Sequence, residues 1–170
     1  CESFATVYIF ALDKNGNIIK DLDSSNFQIF SSVLGDGITQ PFEPTNSSGR
    51  TYGKIASTRI GTKTIGVKIQ GVTLATTKNV TFVPGPPDMN SSYVTADPQG
   101  NAEVNKDTVL LTVTLLDKFY NLIENYDASK VWISSTGVGN SITQPSGLSD
   151  SQARVFGSIT STEAGYKQIS

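Results

Sequence analysis

Catalysis needs nucleophiles, proton carriers or metal ligands within reach of one another, and this chain is poor in them. Histidine is absent and Cys1 is the single cysteine. That removes imidazole acid–base catalysis, Ser-His-Asp and Cys-His nucleophilic groupings, the common zinc sites and any internal disulfide. The 15 Asp and Glu residues supply carboxylates, but no pair is singled out for glycoside hydrolysis. Asp88, Asp97, Glu103 and Asp117 are the candidates for calcium at a domain junction. Their spacing lacks the density of an Asp-x-Asp-x-Asp loop, so solvated charge is the better reading. No metal, cofactor or catalytic residue is expected, and the chain is read as a non-enzyme. Asn46, Asn79 and Asn90 each head an Asn-x-Ser/Thr tripeptide, a glycosylation acceptor wherever the source glycosylates. Cys1 opens the chain, as the cysteine of a lipid anchor would. It leads straight into a strand pattern, however, and aligns with Asn105 in the repeat below, so it is read as a fragment end.

Composition narrows the class. Of 170 residues, 37% are apolar and 16% charged, with a formal charge of -2. A modest core is possible, the surface is mostly uncharged and polar, and no basic block points to nucleic acid. No apolar run is long enough to span a bilayer, and no charged n-region precedes an apolar h-region.

Self-similarity organises the rest. A shift of 104 places Ile38-Thr39-Gln40-Pro41 on Ile142-Thr143-Gln144-Pro145 and Leu12-Asp13-Lys14 on Leu116-Asp117-Lys118. Residues 1–66 align with 105–170 without a gap, with 23 identities in 66 pairs. By this register the first repeat (1–84) is expected to lack its first strand. The second (89–170) is expected to lack its last strands. Between them Pro84-Gly85-Pro86-Pro87-Asp88 cannot join a strand ladder, and 85–88 reads as a short, semi-rigid linker.

Alternation with period two dominates both repeats. Residues 5–12 and 108–116 read as strands with Val7, Ile9 and Ala11, or Leu111, Val113 and Leu115, on one face. Phe27 and Ile29 alternate next, matched by Val131 and Ile133. Further strands are predicted over 50–57, 63–70, 78–83, 92–96 and 153–160. Asp13-Lys14-Asn15-Gly16-Asn17 is turn chemistry. The pattern predicts an all-β chain of tandem immunoglobulin-like antiparallel β-sandwiches.

At the junction, Thr81-Phe82-Val83-Pro84-Gly85-Pro86-Pro87-Asp88 followed by Ser92-Tyr93-Val94-Thr95-Ala96-Asp97 resembles the border between bacterial Ig-like repeats of the invasin/intimin group. There a strand ends in Phe-x-x-Gly and the next unit opens with Ser-x-x-x-Ala. Asp13-Lys14-Asn15-Gly16-Asn17-Ile18-Ile19 resembles the group's Asp-x-x-Gly-Asn-Pro-Val turn, and residues 56–63 its Ser-Thr-x-x-Gly segment. The departures are Ile18 or Leu122 where the group has proline, and Tyr120 in place of the turn glycine. The resemblance implies a stalk or spacer of a microbial cell-surface adhesin, extracellular, whose partners are neighbouring repeats and, through a distal domain, a surface protein or glycan. The alternative is a subunit of an extracellular filament or surface layer, completed by strands from neighbouring chains.

Phe119-Tyr120 stands where the first repeat has Asn15-Gly16. With Pro84, Pro86 and Pro87 it is the expected interdomain contact, ahead of a partner site. Trp132 is expected on the outward face, like its counterpart Gln28. Tyr93 and Tyr126 have no grouping. A ligand-binding module would need an aromatic platform on one surface, and the aromatics read as scattered.

Overall fold

The computed structural model describes residues 4–170, so Cys1 lies outside the described residues. Two compact units divide between Val83 and Pro84. In the first, β1 (Phe4–Phe10), β3 (Gly37–Thr39) and β4 (Arg50–Ala56) form an antiparallel sheet in the order β1-β4-β3. The second sheet holds β2 (Phe27–Ser31), β5 (Gly61–Ile69), β6 (Val72–Thr73) and β7 (Lys78–Phe82), with β2, β6 and β7 all paired to β5. Alternating side chains of both sheets meet in one core of Ile9, Ala11, Phe27, Ile29, Ile55, Ile65 and Val67. Each such aliphatic side chain removed from water contributes about 1.5–3 kcal/mol.

The second unit contains β8 (Tyr93–Asp97), β9 (Val109–Thr114), β10 (Asn140–Thr143) and β11 (Arg154–Ser161), in the order β10-β11-β9-β8. Leu111, Ile133 and Ile159 form an upper core cluster of this unit, and Leu115, Ile123, Ala128 and Val155 form a lower one. The inward faces expected from alternation are therefore the buried ones. Phe27 and Ile29 lie on a strand, but residues 131–133 do not. β2 pairs along β5 from Ile65 to Ile69, and in the second unit the corresponding bonds join Ser134 to Ser170, Ser135 to Ile169 and Thr136 to Gln168.

The motif Ile-Thr-Gln-Pro joins the two layers in both repeats. β2 is the edge of its sheet, and the outward N–H and C=O of Ile29 would otherwise be unpaired. Gln40, just past β3 of the other sheet, accepts from the Ile29 N–H at 2.6 Å and donates to the Ile29 carbonyl at 2.8 Å. Gln144 does the same for Ile133, both at 2.8 Å. One primary amide thus replaces a strand. Beneath it Gly53 and Gly157 leave no room for a side chain. A Cβ on Gly53 would run into the Thr39 carbonyl and Ile29, and one on Gly157 into the Thr143 carbonyl and Ile133.

A buried hydroxyl is repeated in the same way. Thr45 Oγ1 accepts from the Leu22 N–H and donates to the Ile19 carbonyl. Ser149 Oγ accepts from Tyr126 and donates to Ile123. The loop that crosses from one sheet to the other is fastened at this point.

Gln40→Leu should destabilise the first unit, and Gln144→Leu the second, by about 1–3 kcal/mol, because each strands two backbone groups. Gly53→Ala and Gly157→Ala should cost about as much by overpacking. Calorimetric unfolding of the whole chain would show the loss in the altered unit's transition, and an unshifted transition for Gln40→Leu would refute the latch.

Candidate functional site

Asp13 and its counterpart Asp117, 104 residues on, each build a hairpin turn. Asp13 Oδ1 accepts from the N–H groups of Asn15 and Asn17 at 2.8 Å each, and its Oδ2 from the Asn17 amide at 2.9 Å. Asp117 repeats these bonds with Phe119 and Asn121 and adds one more: its Oδ2 accepts the N–H of Gly85 at 3.0 Å. Asp117 is only 3% exposed. Burial pushes its carboxyl up, but hydrogen bonds from Asn121, Gly85 and Phe119 outweigh that and hold it below the usual aspartate range. Further along, the Asp88 N–H bonds to the Leu116 carbonyl, and Asp88 Oδ1 accepts from Asn90 and Ser91. Residues 85–88 are thus fastened to the second unit at both ends.

Tyr120 takes the position of Gly16 with the same left-handed backbone, φ +63° against +84°. For a residue with a Cβ this conformation costs about 1–2 kcal/mol. Its ring is 70% exposed, and Phe119 is about a third exposed beneath the Lys118 ammonium, whose Nζ lies 4.6 Å from the ring centre. Pro84 and Pro87 are half-buried and Pro86 is exposed.

The remaining candidates stay apart. Asp88 and Asp117 are occupied by backbone donors, Glu103 pairs with Lys106 at 2.6 Å, and Asp97 is exposed on β8. No three potential metal ligands come together among the described residues. Asn46, Asn79 and Asn90 are all exposed, and Asn46 also closes a turn by accepting from Ser48 and Arg50. Trp132 points outward and is 76% exposed. Tyr126 is half-buried against the lower core of the second unit, and Tyr93 is exposed on β8.

One expectation is overturned, because aromatic residues do gather on a surface. Along β1, Phe4, Tyr8 and Phe10 alternate with the inward residues, and each is more than half exposed. The β1–β4 register sets Tyr8 opposite Tyr52, with ring centres 6.1 Å apart, and Phe42 meets Tyr52 edge-on at 6.1 Å. Arg50 lies over Tyr8 at 5.0 Å and Lys54 over Phe4 at 4.2 Å. Strand register brings Tyr52 and Phe42 to β1, and linear spacing does not reveal it. A signal was present in β1 itself, where the outward positions of a half-exposed strand are aromatic instead of polar.

No protein-family model and no curated protein matches the chain. Solved structures do. Invasin, a bacterial integrin-binding protein, superposes with a TM-score of 0.64 at 17% identity over 96% of this chain and 32% of its own. The Escherichia coli adhesin FdeC gives 0.67 at 18% identity over 99% and 54%, and InvD of Yersinia pseudotuberculosis 0.53 at 18% over 98% and 46%. The chain thus spans about a third of invasin and about half of FdeC. At these identities the likeness establishes the fold, that of the Ig-like domains of the invasin/intimin group.

Asp117→Asn should destabilise the second unit by about 1–3 kcal/mol, since an amide cannot accept from every donor that the carboxylate satisfies. The native carboxyl titrates below the ordinary value of about 3.9, so its contribution is full above that pH and is lost as pH falls through the folded value. Melting curves of wild type and variant should therefore differ at pH 7 and converge in acid. A constant gap across that range would show that ionisation is irrelevant. Tyr120→Gly should stabilise the same unit by about 1 kcal/mol in denaturant titration.

Proposed function

We propose that this chain, which has the fold of bacterial Ig-like adhesin domains, is a non-catalytic spacer segment of a microbial cell-surface adhesin. The observation that carries the reading is the structural repetition. Two units of one design, each with its own core, Gln latch and Asp turn, are joined through a proline-rich segment that the second unit grips through Asp117. Such modules extend by addition, and each buries its own core without help from a substrate or cofactor. Adhesin domains among the structural neighbours support an extracellular, surface-exposed setting. No helix among the described residues is long and apolar enough to cross a membrane.

On this reading Phe119, Tyr120, Pro84, Pro86 and Pro87 form the contact that sets the angle between repeats. The backbone cost borne by Tyr120 supports a role for its ring beyond the fold of its own turn. The exposed Asn46, Asn79 and Asn90 are acceptors wherever the source glycosylates.

Sedimentation of the purified chain should give a monomer at micromolar concentration. Spontaneous polymers would replace the spacer reading with the filament built by strands from neighbours. Phe119→Ala with Tyr120→Ala should broaden the distribution of interdomain distances seen by X-ray scattering and leave both melting transitions in place. Unchanged scattering would remove that pair from the contact.

A further inference from the structure

Residues 84–92 are attached to the second unit by steps of rising strength. Pro84, Pro86 and Pro87 have no N–H, so Gly85 holds the single backbone donor of the segment 84–87. Asp117 Oδ2 accepts it at 3.0 Å. The next attachment is denser. The Asp88 N–H donates to the Leu116 carbonyl at 2.8 Å, Asp88 Oδ1 accepts from Asn90 and Ser91, and the Asp88 carbonyl accepts from Ser92. Ser92 Oγ then donates to the Leu116 carbonyl and accepts the Leu116 N–H. Last comes β8, paired with β9 from Tyr93 opposite Thr114 to Asp97 opposite Leu110.

The bond to Gly85 is not what shapes the hairpin. Asp13 builds the same turn through bonds within its own hairpin, from Asn15 and Asn17. Nor is Gly85 wedged in place. A Cβ there would lie 3.6 Å from Asp117 Cβ and 3.7 Å from its Oδ2, which is ordinary van der Waals contact. Among the described residues Gly85 is tied by that one hydrogen bond, and the burial of Asp117 keeps water from competing for it at rest. A pull arriving from Val83 meets this bond before any other attachment of the unit. Proline keeps a freed segment extended at about 3.1 Å per residue. Moving the point of attachment from Gly85 to Asp88, three residue steps, therefore lets out up to about 9 Å.

We propose that the Gly85–Asp117 bond is a releasable stop in the connector. Under tension it parts first and reversibly, lengthening the connector up to Asp88, while Asp88, Ser92 and β8 keep the second unit folded. The inference deepens the spacer reading and rests on it for the source of the load.

Magnetic tweezers holding the whole chain by its two ends test it. Below the force that unfolds either unit, the wild type should show a reversible step of up to about 9 Å. Gly85→Pro removes the N–H and should abolish the step, whereas Gly85→Ala keeps the N–H and should keep it. Hydrogen exchange of the unloaded chain gives a second reading that needs no variant. Corrected for intrinsic rates, the Gly85 amide should exchange at least about tenfold faster than the Asp88 amide, because it opens alone. The proposal fails if the wild type shows no such step, if folded Gly85→Pro retains it, or if the two amides exchange together. Sedimentation addresses the spacer reading separately. Polymers would remove the spacer and leave the step in place, and a missing step would leave a monomeric spacer standing.

Discussion

A sandwich of two sheets needs its layers fixed in register, and in each repeat a glutamine side chain does this. Gln40 and Gln144 end one sheet and bond both backbone groups of Ile29 and Ile133 in the other. The amide satisfies an edge that water or a foreign strand would otherwise occupy. It also sets how closely the layers approach, which is why Gly53 and Gly157 beneath it tolerate no Cβ. Burial of Ile29, Ile55, Ile133 and Ile159 follows from that spacing. Hydrophobic burial supplies most of the free energy, but it is non-directional, and the latch gives it a direction.

Local polar bonds then complete each unit. The aspartate turn, the Thr45 or Ser149 hydroxyl and the Asn46 or Asp150 turn recur at equivalent places with the same backbone partners. In the second unit one of these devices has been extended. Asp117 reaches Gly85 as well as its own turn, so the proline-rich segment is held by the same carboxylate that shapes the hairpin. The turn after it carries Phe119 and Tyr120 where the first unit has Asn15 and Gly16, and Tyr120 retains the glycine's backbone.

The two repeats share their interiors and differ outside. Inward positions keep an apolar residue or exchange it for one of similar character. Phe4, Tyr8, Phe10 and Phe42 of the first unit become Thr108, Thr112, Thr114 and Ser146 in the second, while Tyr52 and Arg50 are kept in kind as Phe156 and Arg154. A common fold is thus compatible with separate surface roles.

The sequence by itself determined what local and periodic rules control. Gap-free register marked the repeat, alternation identified Val7, Ile9, Ala11 and Leu111 as inward, and the Asp13 and Asp117 turns followed from their residue types. Absence of histidine removed whole classes of chemistry. The repeat also marked Ile-Thr-Gln-Pro, but not its job, because a glutamine's partner across a sandwich is not encoded in linear spacing. Only the tertiary structure decided that Phe27–Ser31 pair along β5, since a strand exists through its partner. The same physics hid the aromatic face. Tyr8, Phe42 and Tyr52 are far apart along the chain, and β-sheet register, a non-local property, brings their rings together.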